Sequence, residues 1–139
     1  MISPRRADGA STPALRARKK AVPAEITELR HEAVAFARAA GADASLQSDV
    51  ALALSEAVTN VVLHAYSEAG AGDVFVDGRV EGGWLEFRVC DQGLGFRSES
   101  RGGMGVGLVL IANVSESFDV EQSPQGTTLV IRFAMDRAS

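Results

Sequence analysis

The sequence predicts an α+β protein: a two-layer α/β sandwich whose mixed, mainly antiparallel sheet is covered by helices on one face. Three observations predict it. Two long stretches, Ala24 to Ala40 and Leu46 to about Ala65, carry their apolar residues at helical spacing. Val74 and Val76, then Leu85, Phe87 and Val89, alternate with polar residues on either side of Glu81-Gly82-Gly83, the pattern of two half-buried strands joined by a tight turn. A further run from Thr127 to Phe133 follows a Ser-Pro-Gln-Gly turn. Helical segments first and strands mostly after favour helices laid on one side of an antiparallel sheet.

Taken in order, residues 1–13 read as a disordered basic leader containing Pro4, Gly9 and Pro13, and a short strand follows between Leu15 and Val22. The structured domain spans 14–135, and 136–139 form a tail. In the first helix Ile26, Leu29, Ala33, Phe36, Ala37 and Ala40 form one apolar stripe, and Gly41 is its stop. Asp43 or Ser45 caps the second helix, where Leu46, Val50, Leu54, Ala57, Val58 and Val61 face the core. After the two hairpin strands a short helix runs from about Gly105 to Ser115, followed by a strand near Phe118–Glu121 and the final strand.

The bulk composition narrows the function classes. With 139 residues and 46% hydrophobic content, the chain can bury one core without staples. Cys90 stands alone, which rules out an intrachain disulfide or a thiolate metal site and fits a reducing, cytoplasmic setting. No run approaches the roughly 18–20 apolar residues of a membrane span. Residues 1–20 hold six basic side chains against Asp8, a charge of +5 that leaves −9 on the rest. An acidic body behind a basic tail without interleaved aromatics points away from nucleic acid.

The chemistry concentrates in three segments. In the second helix Glu56, Asn60 and His64 recur every fourth residue within an apolar run, stacking a carboxylate, an amide and an imidazole on one face. Burying such groups unpartnered costs about 1–3 kcal/mol each, so something polar should lie against them. Asp91, at a strand end, leads into Gly93 and Gly95; Gly102, Gly103, Gly105 and Gly107 follow. Glycine-rich turns let backbone approach a ligand closely. The run from Gly105 to Leu108 opens a helix whose unpaired amides suit phosphate. A phosphate-bound Mg²⁺ needs one or two protein oxygens, for which the Asn60 amide suffices. Glu56 could hold a water on that metal or accept the proton of an attacking hydroxyl. Asp91 can accept a hydrogen bond from an exocyclic amine such as adenine's. Singly each feature is an ordinary turn, cap or helix-end histidine; their order and spacing suggest a nucleotide site.

These segments resemble the Bergerat-fold ATPases of gyrase, the ninety-kilodalton heat-shock chaperone, histidine kinases and MutL, and within them the bacterial anti-sigma-factor serine kinases. Glu56-x-x-x-Asn60-x-x-x-His64-Ala65-Tyr66 looks like the N box, and Asp91-x-Gly93-x-Gly95-Phe96 like the first glycine box. Gly103-Met104-Gly105-Val106-Gly107-Leu108 looks like the second, and Gly126-Thr127-Thr128 like the closing Gly-Thr element. The resemblance covers nearly all of residues 20 to 134. It implies ATP and Mg²⁺ as cofactors, Asn60 as metal ligand, Glu56 as base and Asp91 as the reader of adenine. His64, Thr127 and the glycine boxes would complete the nucleotide site. Seven residues, Arg97 to Gly103, make a short lid, with Arg101 as its cationic contact to phosphate.

With about 20 residues ahead of the domain and no dimerisation or transducer segment, the resemblance implies a standalone protein-serine kinase. Such a protein holds a sigma factor, phosphorylates a serine of an anti-sigma-factor antagonist and works as a homodimer in the cytoplasm. Two alternatives stand beside it: an ATP-binding module that sequesters a partner with little transfer, and a histidine-kinase-like catalytic domain acting in trans.

Overall fold

The computed structural model describes residues 14–66, 72–93 and 104–135, with backbone alone for 104–106. The leader 1–13, the tail 136–139 and the site candidates Gly95, Arg101 and Gly103 lie outside the described residues. The elements are β1 (Ala14–Lys20), α1 (Ala24–Ala39), α2 (Ala44–Asn60) with a π-helical turn at Val61–Ala65, β2 (Asp73–Glu81), β3 (Trp84–Asp91), α3 (Met104–Val114), β4 (Ser117–Ser123) and β5 (Gly126–Ala134).

The expected α+β sandwich is what forms. The strands lie in the order β1-β2-β3-β5-β4, and every pairing among them is antiparallel, so the sheet is antiparallel throughout rather than mixed. Each neighbouring pair close in sequence is joined by a short turn, which only antiparallel strands permit. Gly82 and Gly83 at φ +58° and +85° form the two-residue turn of the β2–β3 hairpin.

The helices end where the sequence can satisfy their free backbone groups. Asp43 Oδ1 accepts from the Leu46 N–H at 2.8 Å and starts α2. Gly41 adopts φ +107°, and the N–H groups of Gly41 and Ala42 return to the carbonyls of Arg38 and Ala37, closing α1.

The core lies between α1, α2 and the inner face of the sheet. Phe87 of β3 sits between Phe36 of α1 and Phe133 of β5, edge to face at 5.9 and 6.3 Å. Room for them comes from Gly78 of β2, where a Cβ would stand 3.0 Å from the Phe36 ring and 3.1 Å from Phe87. Leu29, Val50, Leu54, Val58, Leu85 and Ile131 complete the apolar layer, each buried Leu, Val or Ile being worth about 1.5–3 kcal/mol.

The outer face of the sheet is a lattice of charges. Glu86 accepts from Arg88 Nε and Arg132 Nε at 3.1 Å each. Arg132 also lies over the Trp84 ring, and Arg18 over Phe75 while bonded to Asp73. Burial alone would raise the Glu86 carboxyl; the bonds from Arg132 and Arg88 outweigh it and hold the group below the usual glutamate range. Cys90 is half-buried on this face, where it accepts from the Thr128 hydroxyl at 3.3 Å. No helix among the described residues is long and apolar enough to cross a membrane.

Candidate functional site

Strand alternation aims Asp91 at the helices. Leu85, Phe87 and Val89 point into the core, and Asp91 is the next residue of that inward row, 5% exposed at the end of β3. Its Oδ1 accepts from the Gly93 N–H at 3.0 Å, and the Thr127 N–H of β5 donates to the same carboxylate. Burial pushes the Asp91 carboxyl upward; the two backbone donors oppose that push without cancelling it. Two fixed donors hold the group while leaving lone pairs for a ligand donor. Thr127 is itself buried. Gly126, at φ +147°, allows this approach, since a Cβ there would overlap the Asp91 carbonyl.

Across the site, α3 lies against α2 at a glycine. A Cβ on Gly107 would stand 3.0 Å from Glu56 Oε1 and 3.5 Å from both terminal atoms of the Asn60 amide. The second-helix pair and the second glycine segment, nearly fifty residues apart in sequence, therefore meet. Asn60 is 4% exposed, and its Nδ2 is buried with no hydrogen-bond partner among the described residues. An orphaned amide of this kind costs about 1–3 kcal/mol, and a half-turn of the terminal group presents its oxygen instead. The Asn60 amide beside the Glu56 carboxylate fits a hard cation that draws its other oxygens from phosphate and water. No cluster of three or more His, Cys, Asp and Glu occurs among the described residues, so a metal here would depend on its ligand's own oxygens.

His64 lies within the π turn Val61–Ala65, beyond the regular helix that ends at Asn60. It is half-buried. The π turn brings the Ala65 carbonyl against Gly93, where a Cβ would overlap it. Met104, Gly105, Val106, Gly107 and Leu108 form the first turns of α3.

Tyr66 received no role from sequence reasoning. Its hydroxyl donates to the Asp73 carbonyl at 2.5 Å and accepts from the Gln92 N–H at 2.9 Å. It is the chain's one tyrosine, placed before a glycine-rich loop at the close of the segment that resembles the N box, and that place is the sequence signal it gives.

Comparison with known proteins agrees with this geometry. Residues 20–133 match the histidine kinase-like ATPase domain model. The chain is similar to the anti-sigma F factor of Bacillus licheniformis, 26% identical over 95 residues, and to that of Bacillus subtilis, 27% identical over 95. These matches cover 59% of this chain and 65% of the relatives' length, so just under two thirds of each relative is spanned. Among solved structures, the RsbU and RsbW domains of a Mycobacterium tuberculosis protein superpose with a TM-score of 0.73 at 23% identity, over 91% of this chain and 34% of that one. A blue-light activated histidine kinase of Erythrobacter litoralis superposes at 0.58 and 24% identity, over 68% of this chain and 32% of that one. The fold, the order of the motifs and the match over residues 20–133 agree: this chain belongs to the histidine kinase-like ATPase domain family.

Proposed function

We propose that the domain is an anti-sigma-factor protein-serine kinase that binds ATP with Mg²⁺ between α2, α3 and the end of β3. It would phosphorylate a serine of an antagonist protein, hold a sigma factor between cycles and act as a homodimer in the cytoplasm. The observation that carries the reading is the uncommitted, buried Asn60 amide beside Glu56, with both facing Gly107 at the start of α3. The likeness to the anti-sigma F factors of two Bacillus species supports the regulatory part.

In this reading Asp91 accepts a hydrogen bond from the adenine amine, with Thr127 beside it, and the backbone at the start of α3, from Met104 to Leu108, faces the phosphates. Mg²⁺, held by the Asn60 oxygen, would supply charge neutralisation on the phosphate oxygens. Glu56 accepts the proton of the serine hydroxyl as its oxygen bonds to the γ-phosphorus. The bond from that phosphorus to the β–γ bridging oxygen breaks, and ADP leaves with the electron pair.

The test is titration of the protein with ATP, with Mg²⁺ and then with the metal chelated. Binding that needs the metal, is abolished in Asn60→Ala and survives in Glu56→Ala without phosphoryl transfer is the expected result. Equal transfer by both variants and parent would overturn the site. An acid-stable phosphoprotein product is expected; an acid-labile one would reassign the acceptor to histidine.

A further inference from the structure

The geometry points to Tyr66 as a positioning residue for base recognition: its hydroxyl clamps the Asp91-Gln92-Gly93 turn to the end of the helix that carries Glu56 and Asn60. The inference rests on the nucleotide reading above and adds to it the device that fixes the distance between the two halves of the site.

Tyr66 directly follows the π turn, six residues past Asn60, which meets Gly107 of α3. Its ring lies against the backbone of Gly72 and of Gly93; a Cβ on Gly72 would overlap the ring, and one on Gly93 would stand 2.8 Å from it. The phenol is saturated in both senses, donating to the first residue of β2 and accepting from the residue that follows Asp91. Gly93 in turn abuts the Ala65 carbonyl and donates to Asp91. The chain Ala65–Tyr66–Gln92–Gly93–Asp91 is therefore closed on itself, and the turn cannot tilt without breaking the phenol's bonds. Gln92 is exposed, so water replaces the lost partner once the hydroxyl is gone. The carboxylate of Asp91 then loses its fixed aim, although the ring packing survives.

Tyr66→Phe removes the hydroxyl and keeps the ring. In the unliganded variant the Gln92 amide should exchange with solvent about tenfold faster or more, while amides in the middle of β3 hold their rates. Affinity for Mg-ATP should fall about tenfold, the equivalent of one hydrogen bond. Affinity for Mg-GTP, whose base offers a carbonyl where adenine offers an amine, should change little, so the ATP-over-GTP preference drops by the same factor. Equal losses for both nucleotides, or no loss, would overturn positioning of the base. Unchanged exchange at Gln92 would overturn the clamp itself. A parent that binds no ATP overturns the nucleotide reading separately, and the exchange measurement on the unliganded protein still decides the clamp.

Discussion

Gly107 faces Glu56 across the α2–α3 interface, with only 3.0 Å between the glutamate Oε1 and the place a Gly107 side chain would begin. That spacing predicts a separation of stability from function in Gly107→Ala. Alanine favours a helix over glycine by about 0.5–1 kcal/mol, so α3 gains. The new methyl displaces the half-buried Glu56 carboxylate by a few tenths of an ångström while making ordinary contact with the Asn60 amide. Melting should occur at or slightly above the parent temperature, whereas phosphoryl transfer falls at least about tenfold, in line with the loss expected from a misplaced base. A variant as active as the parent would remove Glu56 from the reaction.

A second prediction compares glycines of similar dihedral class. Gly82, Gly83 and Gly126 all have positive φ, but a Cβ meets nothing within 4 Å at the first two and overlaps the Asp91 carbonyl at the third. Gly82→Ala or Gly83→Ala should therefore cost about 1 kcal/mol of backbone strain alone. Gly126→Ala adds a collision and should cost about 2–4 kcal/mol, a fall in melting temperature on the order of 10 °C. It should also loosen Asp91, whose carboxylate takes the adjoining Thr127 N–H. Equal melting temperatures for the three variants would contradict the close approach at β5.

Much of this arrangement was legible in the sequence because periodicity fixes which way a side chain faces. The alternation through Leu85, Phe87 and Val89 put Asp91 at a strand end, and the spacing of Leu46, Val50 and Leu54 put Glu56 and Asn60 on the helix face turned away from those residues. What the sequence could not reveal depends on contacts distant along the chain. Val61 to Ala65 are ordinary helix residues, and nothing in them signals the π turn; the widening goes with the meeting of Ala65 and Gly93, nearly thirty residues away. The regular helical repeat through Glu56 and Asn60 gives way to the π turn before His64 is reached. The partners of Tyr66 sit at the ends of two different strands, so its role emerges only when β2 and β3 are paired. The meeting of Gly107 with Glu56 likewise requires α3 to be packed on α2.

On the outer face, Glu86 predicts an acid-dependent contribution. Its pKa is depressed in the folded state, so its stabilisation is complete above the ordinary glutamate value of about 4.3 and is lost as pH falls through the lower folded value. Arg88 and Arg132 are 42% and 49% exposed, so solvent screening discounts the pairs. Glu86→Gln should lose about 1 kcal/mol at neutral pH, converge with the parent below about pH 4, and leave ATP affinity unchanged because the residue faces away from α2 and α3. A weakened nucleotide affinity would show that the two faces of the sheet are coupled.

Asp91 predicts the opposite slope. Burial raises its folded-state carboxyl above the ordinary 3.8, so the native protein holds that proton more tightly than the unfolded chain does. The resulting stability is fully present below the ordinary value and lost as pH rises through the folded one. At neutral pH the buried charge is thus a net cost, retained at a position where a ligand amine would use it. Asp91→Asn removes the charge and keeps an oxygen for the Gly93 N–H. Thermal melts should show the variant more stable than the parent at pH 7, with the advantage shrinking toward pH 4 and absent below it. Its affinity for Mg-ATP should fall about 100-fold or more, since the carboxylate acceptor is lost and an amide NH₂ can oppose the adenine amine. A variant less stable at pH 7, or one that binds ATP as the parent does, would mean that the Asp91 carboxylate serves the fold rather than the base. A stabilised protein that has lost ATP would assign the buried charge to recognition.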